Sequence, residues 1–385
     1  MSPGTPQPIA GSPYQPAARR PVRVVVVWTV VVLLIGACGL LSILAITSET
    51  GLTGLVTGVV LAAVPVFPVV ASFLWLDRYE AEPTHLLAFA FAWGAGVATF
   101  GALVVNTASV EAIRTSGGNP TSAAIVVAPF VEEAFKGSAV LLILLLQRRE
   151  FDGVVDGIVY AGLSGVGFAF IENVLYLGRT LDTAGSSTTV FVFILRCLVS
   201  PFAHPLFTSA TGIGLGIASR TRNPLWRITA PILGYAVAVT LHAGWNLSAS
   251  SGLQGFVAGY VAVQVPIFVL FGLLAVMARR REGRLIGRHL AVYASTGWLT
   301  PGEVQMLASL PARRQARRWA RSSAGPAGEH AMVEFQDVGS ELAFLRERMV
   351  RGAAPDQAPA REYALLTALA TLRPAFLGPG VHYSA

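Results

Sequence analysis

Residues 22–46, VRVVVVWTVVVLLIGACGLLSILAI, hold a single charged side chain, Arg23. An α-helix rises ~1.5 Å per residue, so about 20 apolar residues cross ~30 Å of hydrocarbon. The run is therefore long enough to span a bilayer. It exceeds the about 7–15 residues of a signal-peptide core and ends in no small-residue cleavage site, so it reads as a true first span. Toward the C-terminus, seven more stretches of the same kind occur: 52–76, 86–108, 122–147, 154–178, 189–219, 228–250 and 255–278. The sixth is too long for one straight crossing and contains Arg196, Pro201 and Pro205, which predicts a kink or a re-entrant start. The expected fold class is all-α, a polytopic membrane bundle of about eight transmembrane helices.

Composition agrees. The 385 residues are 54% hydrophobic and 13% charged, with a mean hydropathy of +0.61, against about 25% charge in soluble domains. Charge is also uneven: residues 1–278 hold 25 charged side chains and residues 279–385 hold 24. This divides the chain into three regions: a Pro-rich flexible cytoplasmic arm over 1–21, a membrane domain over 22–278 and a basic, helical, soluble-like cytoplasmic tail over 279–385. In the tail, Arg313, Arg314, Arg317, Arg318 and Arg321 read as a solvated face, with contact to anionic lipid as the other reading. Cys38 and Cys197 lie in apolar stretches, which excludes a disulfide scaffold.

Arginine in short loops sets the orientation. Arg19, Arg20 and Arg23, Arg78, Arg148 and Arg149, Arg220 to Arg227, and Arg279 to Arg281 fall on one side, against Arg114 and Arg179 on the other. Both termini are thus expected in the cytoplasm.

An ionisable side chain at mid-bilayer costs ~2.5–3.5 kcal/mol on insertion scales and faces the bundle interior. Four successive spans carry such groups: Glu132, Glu133 and Lys136; Glu172; His204; and His242 with Asn246. Lys136 is the only lysine in the chain. It comes four residues after Glu132 and three after Glu133, so it can neutralise one carboxylate and leave the other for chemistry. Counted from the outer ends of their spans, Glu132, Glu172 and His242 lie at ~10–15 Å depth, and His204 can share that level. Glycines around Gly157, Gly165 and Gly212 would let these helices approach closely. Gly165-Val166-Gly167 has no strand before it, so it is not read as a nucleotide fingerprint, and no nucleic-acid partner is expected.

Two imidazoles and a carboxylate, His204, His242 and Glu172, with a further carboxylate nearby, are the ingredients of a hydrolytic zinc site. Glu132 is favoured as the general base, with Glu133 paired to Lys136 or acting as a supporting acceptor; the spacing also permits the reverse. Asn246 shares a helix face with His242 and could donate to a developing oxyanion or orient the imidazole. An HExxH helix is absent from the sequence.

Glu132-Glu133-x-x-Lys136, Phe168-x-x-x-Glu172, His204-Pro205 and His242-x-x-x-Asn246 together resemble the motifs of the PrsW family of intramembrane metalloproteases. That family is related to the CAAX-type prenyl endopeptidases, which place His where this chain has Glu172. The resemblance covers roughly 70–280, including Leu76-Asp77-Arg78-Tyr79-Glu80-Ala81-Glu82-Pro83. It implies a multi-span protease of the bacterial inner membrane acting on a membrane-associated protein substrate, an anti-sigma factor in the best-known case, with the paired glutamates and a later histidine tied to activity. Intramembrane Glu, Lys and His also describe a proton- or ion-coupled transporter, the competing reading. Oligomeric state is not legible from the sequence.

Overall fold

Two glycines mark where long apolar stretches break into separate helices. Gly51 (φ 65°) interrupts α1, Val22–Leu76, and Gly185 (φ 79°) interrupts α5, Val154–Phe193. Both occupy the left-handed region that a side chain disfavours, so the chain turns there without leaving the membrane-spanning composition. The computed structural model describes residues 22–377 apart from 80, 149, 152, 353 and 355. The expected arm over 1–21 lies outside the described residues.

Every regular element among the described residues is a helix. After α1 come α2 (Thr84–Trp93) and α3 (Thr99–Thr115), joined through a π-helical turn at Gly94–Ala98. A second π-turn, Ala123–Val127, leads into α4 (Ala128–Leu146). Beyond α5, a third π-turn at Ile194–Val199 precedes α6 (Ala203–Arg220) and α7 (Pro224–Ser250). Then α8 (Gly252–Gly259) passes through a π-turn into α9 (Val265–Ser295). Among the described residues, five stretches are long and apolar enough to cross a membrane: Val26–Leu76, Thr84–Thr115, Val154–Arg220, Pro224–Ser250 and Gly252–Ser295. At 51 and 67 residues, the first and third far exceed the about 20 residues of one crossing. The chain is a multi-pass membrane protein.

The expected irregularity in 189–219 is a break at Ser200–Phe202, directly ahead of His204. Pro205 is the third residue of α6, where its missing N–H costs no intrahelical bond.

The residues Leu34–Arg284 form one compact unit. Its central element is α5, buried without interruption from Gly157 to Phe168, as expected of a helix apolar on all sides. A Cβ on Gly157 would overlap the carbonyl oxygen of Gly212, and the reverse holds equally. Glycine at both positions thus lets α5 and α6 touch backbone to backbone.

The described residues of 285–377, with 22–33, fall in a second unit. The apolar pattern ends by residue 278, but α9 continues to Ser295, because arginine is a good helix former and no Gly-led turn intervenes before Gly297. Here α10 (Pro301–Leu307) opens on a capping box in which the Thr300 and Glu303 side chains exchange bonds with each other's backbone N–H. Next come α11 (Leu310–Arg351), kinked at Gly325 ahead of Pro326, and α12 (Ala358–Leu377).

Candidate active site

On α4, spacings of three and four residues bring Glu132, Glu133 and Lys136 onto neighbouring faces, and all three are buried. Glu133 is fully engaged. Lys136 Nζ donates to its Oε1 at 2.5 Å, the Thr208 hydroxyl donates to Oε2 at 2.9 Å, and His242 Nδ1 lies 2.9 Å from Oε1. Glu132 differs. Its Oε1 accepts from Asn106 Nδ2 at 3.1 Å, while Oε2 is buried with no hydrogen-bond donor and faces His242 Nε2 at 3.5 Å.

The break before α6 aims His204 into the same space. Its Nδ1 lies 3.2 Å from Lys136 Nζ and its Nε2 lies 2.9 Å from Glu172 Oε2. The two imidazoles meet edge to face with centroids 4.9 Å apart. Phe207 stacks on His242 at 5.4 Å, and the Phe168 ring underlies Lys136 Nζ at 4.4 Å. Exposure is 5% for Glu132, 7% for His204 and 1% for His242, so the cluster is closed off from its surroundings.

Glu132, His204 and His242 each offer one ligand atom, all within 4.8 Å of one another. This trio differs from the expected one of Glu172, His204 and His242. The Glu172 carboxylate is taken up by the Arg196 guanidinium and by His204 Nε2, which leaves it beside the trio rather than in it. Asn246 is also placed elsewhere. Its amide donates to the Ala124 carbonyl at 2.8 Å, in the π-turn ahead of α4, where the widened helix disrupts the usual i→i−4 pairing of backbone carbonyls.

A sequence model described as PrsW family intramembrane metalloprotease matches residues 82–271. Over that stretch, about half of its length, the chain is similar to the PrsW family. Protease PrsW of Geobacillus kaustophilus is 32% identical over 161 residues, which is 40% of this chain and 66% of that protein. Protease PrsW of Oceanobacillus iheyensis is 30% identical over 151 residues, 39% of this chain and 63% of the relative. The Bacillus subtilis protein of the same name is 27% identical over 183 residues, 47% of this chain and 78% of the relative. The matched region thus spans slightly less than two thirds of the first two relatives. No solved structure matches the chain.

The PrsW match contains all seven residues singled out from the sequence and three more that touch the cluster: Asn106, Thr208 and Arg196. Asn106 had a signal, a lone amide within the apolar run 86–108. Thr208 had none beyond standing four residues after His204 on the same face. Arg196 stands out in the sequence as a charge inside an apolar stretch, but its partners Glu172 and Asn173 are more than 20 residues away and become visible only in the fold.

Proposed function

We propose that the protein is an intramembrane endopeptidase of the bacterial inner membrane, crossing it eight times with both termini in the cytoplasm, that hydrolyses a membrane-associated protein. The breaks at Gly51 and Gly185 support that count by dividing two stretches too long for one crossing, with α4 supplying the eighth. An anti-sigma factor is the substrate class we infer from the family.

The observation that carries the reading is Glu132 Oε2, a buried carboxylate oxygen without a donor, beside two imidazoles. Leaving such an acceptor unmatched costs about 1–3 kcal/mol or more, so the site is built for something that arrives there. The donor set fits a metal ion. His242 has its other nitrogen, Nδ1, turned to the Glu133 carboxylate; both nitrogens of His204 have neighbours, Nε2 at Glu172 and Nδ1 at Lys136 Nζ, and a metal would replace one of them. A carboxylate behind a histidine is the arrangement that orients metal-ligating imidazoles.

Held by Glu132, His204 and His242, zinc would supply Lewis acidity and lower the pKa of a bound water to about 7. The chain's own residues do the rest. Glu132 sets negative charge against the attacking water, and Asn106 fixes that carboxylate through Oε1. Glu133, locked by Lys136, His242 and Thr208, holds the His242 ring. The apolar walls from Phe168 and Phe207 exclude bulk water, which strengthens every one of these interactions.

Metal content per chain tests the reading. Purified protein in nanodiscs is expected to carry one zinc, and the His204→Ala/His242→Ala double variant to carry none while keeping its helical content. Metal-free wild type that also cleaves no membrane protein would refute it.

A further inference from the structure

Arg196 has no place in the hydrolytic reading, yet it ties together several of the groups that surround the site. It sits in the π-turn Ile194–Val199. One extra residue in such a turn rotates the next stretch of chain by ~100° relative to a continued α-helix. From there Arg196 reaches one face of α5: its Nη2 donates to Glu172 Oε2, its Nε donates to Asn173 Oδ1 at 2.7 Å, and its guanidinium lies 4.1 Å from the centroid of Tyr176. The fork is about four-fifths buried, as is the Glu172 side chain. Glu172 in turn lies 2.9 Å from His204 Nε2.

We propose that Arg196 is a positioning residue: through Glu172 it fixes the ring of His204 and keeps the Glu172 carboxylate out of the donor set formed by Glu132, His204 and His242. The proposal rests on the metal-centre reading of the site. Packing alone does not account for the arrangement, since a buried ion pair is replaced by apolar groups at little or no loss of stability. What an apolar side chain cannot do is hold a carboxylate by a planar fork and present its oxygen to an imidazole. With Nε2–H directed at Glu172, the tautomer of His204 is set, and the Nδ1 lone pair, 3.2 Å from Lys136 Nζ, is left to accept from the ammonium or, in its place, to bind a cation. A freed Glu172 could turn toward any cation at His204 and compete with Glu132, changing the donor set.

The test is zinc affinity, measured with zinc alone by competition against a chromophoric chelator on the full chain in nanodiscs. Wild type, Arg196→Met, Arg196→Lys, Glu172→Ala and the Arg196→Met/Glu172→Ala double variant are compared, with the melting temperature of each zinc-free form beside it. Arg196→Met is expected to weaken zinc binding roughly 10–100-fold, the usual effect of losing a residue behind a ligand. The double variant should bind no more weakly than the weaker single one, because both act along one path. Should Arg196→Met fail to fold, Arg196→Lys decides, since it keeps the charge but cannot span Glu172 and Asn173 together. Equal zinc affinity in wild type and the folded Arg196 variants overturns this proposal and leaves the hydrolytic reading standing. No zinc bound by wild type would bring down the metal centre and the role of Arg196 with it.

Discussion

The membrane unit and the C-terminal unit both bury charge, and they treat it differently. In the C-terminal unit, Arg313 is 3% exposed; its Nε donates to the Leu307 carbonyl at 2.8 Å and its Nη2 to Ser340 Oγ at 2.6 Å. Arg373 pairs with Glu303, and Glu362 receives both Arg346 and the Tyr293 hydroxyl. These groups tie neighbouring helices together. In the membrane unit, Glu133 is just as thoroughly satisfied, but Glu132, one residue earlier on the same helix, keeps an oxygen open. Adjacent residues of identical chemistry thus divide into a carboxylate with every oxygen bonded and one with an oxygen left open, and the partners on other helices make the division.

The largest effect should come from closing that open oxygen. Glu132→Gln is expected to lower cleavage roughly 10²–10⁴-fold with unchanged membrane insertion and helical content, read by comparing the products released from membranes that hold wild type or variant. Activity near wild type would erase the distinction between the two glutamates. Next comes Lys136→Met, which strands Glu133 as a buried charge; about 3–5 kcal/mol of stability should be lost. Unfolding in graded SDS measures it, and Glu133→Gln in the same chain should restore part of the loss.

A smaller effect belongs to the other unit. Arg313→Met should cost about 1.5–3 kcal/mol, the range for hydrogen bonds to a charged group, while cleavage by the folded fraction stays at the wild-type rate. A matching fall in specific activity would show that this buried charge also serves the reaction. The smallest concerns Asp77, just past the end of α1. Burial, with Asp156 nearby, raises its pKa from 3.8 to about 8, against the lowering pull of the Glu82 N–H that it accepts at 2.8 Å. The folded state therefore binds this proton more tightly than the unfolded one, and the stability so gained at low pH is lost as pH rises from about 4 to about 8. Asp77→Asn should flatten the fall in melting temperature across that window; an unchanged slope would show that Asp77 ionises freely in the fold.

Much of the molecule was legible in the sequence, for reasons that differ from residue to residue. Apolar runs of bilayer length announce helices whatever their packing, and a lone lysine three residues after a glutamate announces its partner. Three assignments needed the fold. Glu172 reads as a ligand, and in the fold its carboxylate is also bonded to Arg196 from the π-turn at Ile194–Val199, of which periodicity at 3.6 residues gives no sign. Asn246 shares the expected face with His242, but its amide goes to the Ala124 carbonyl in another π-turn. Asn106 was visible only as a polar residue in an apolar helix, with nothing to say which carboxylate it would meet. The count of crossings and their orientation still rest on the arginine pattern and the helix breaks.

Burial of the cluster has a consequence for tempo. With Glu133 and Lys136 at 0% exposure and His242 at 1%, no peptide bond can reach the carboxylates until helices part. Turnover in the proposed hydrolysis would then inherit the timescale of helix rearrangement, microseconds to milliseconds or slower, rather than that of bond breaking. On the proposed reading, a site sealed in this way would be latent toward the membrane proteins around it, and whatever parts its helices would set both its speed and its selectivity.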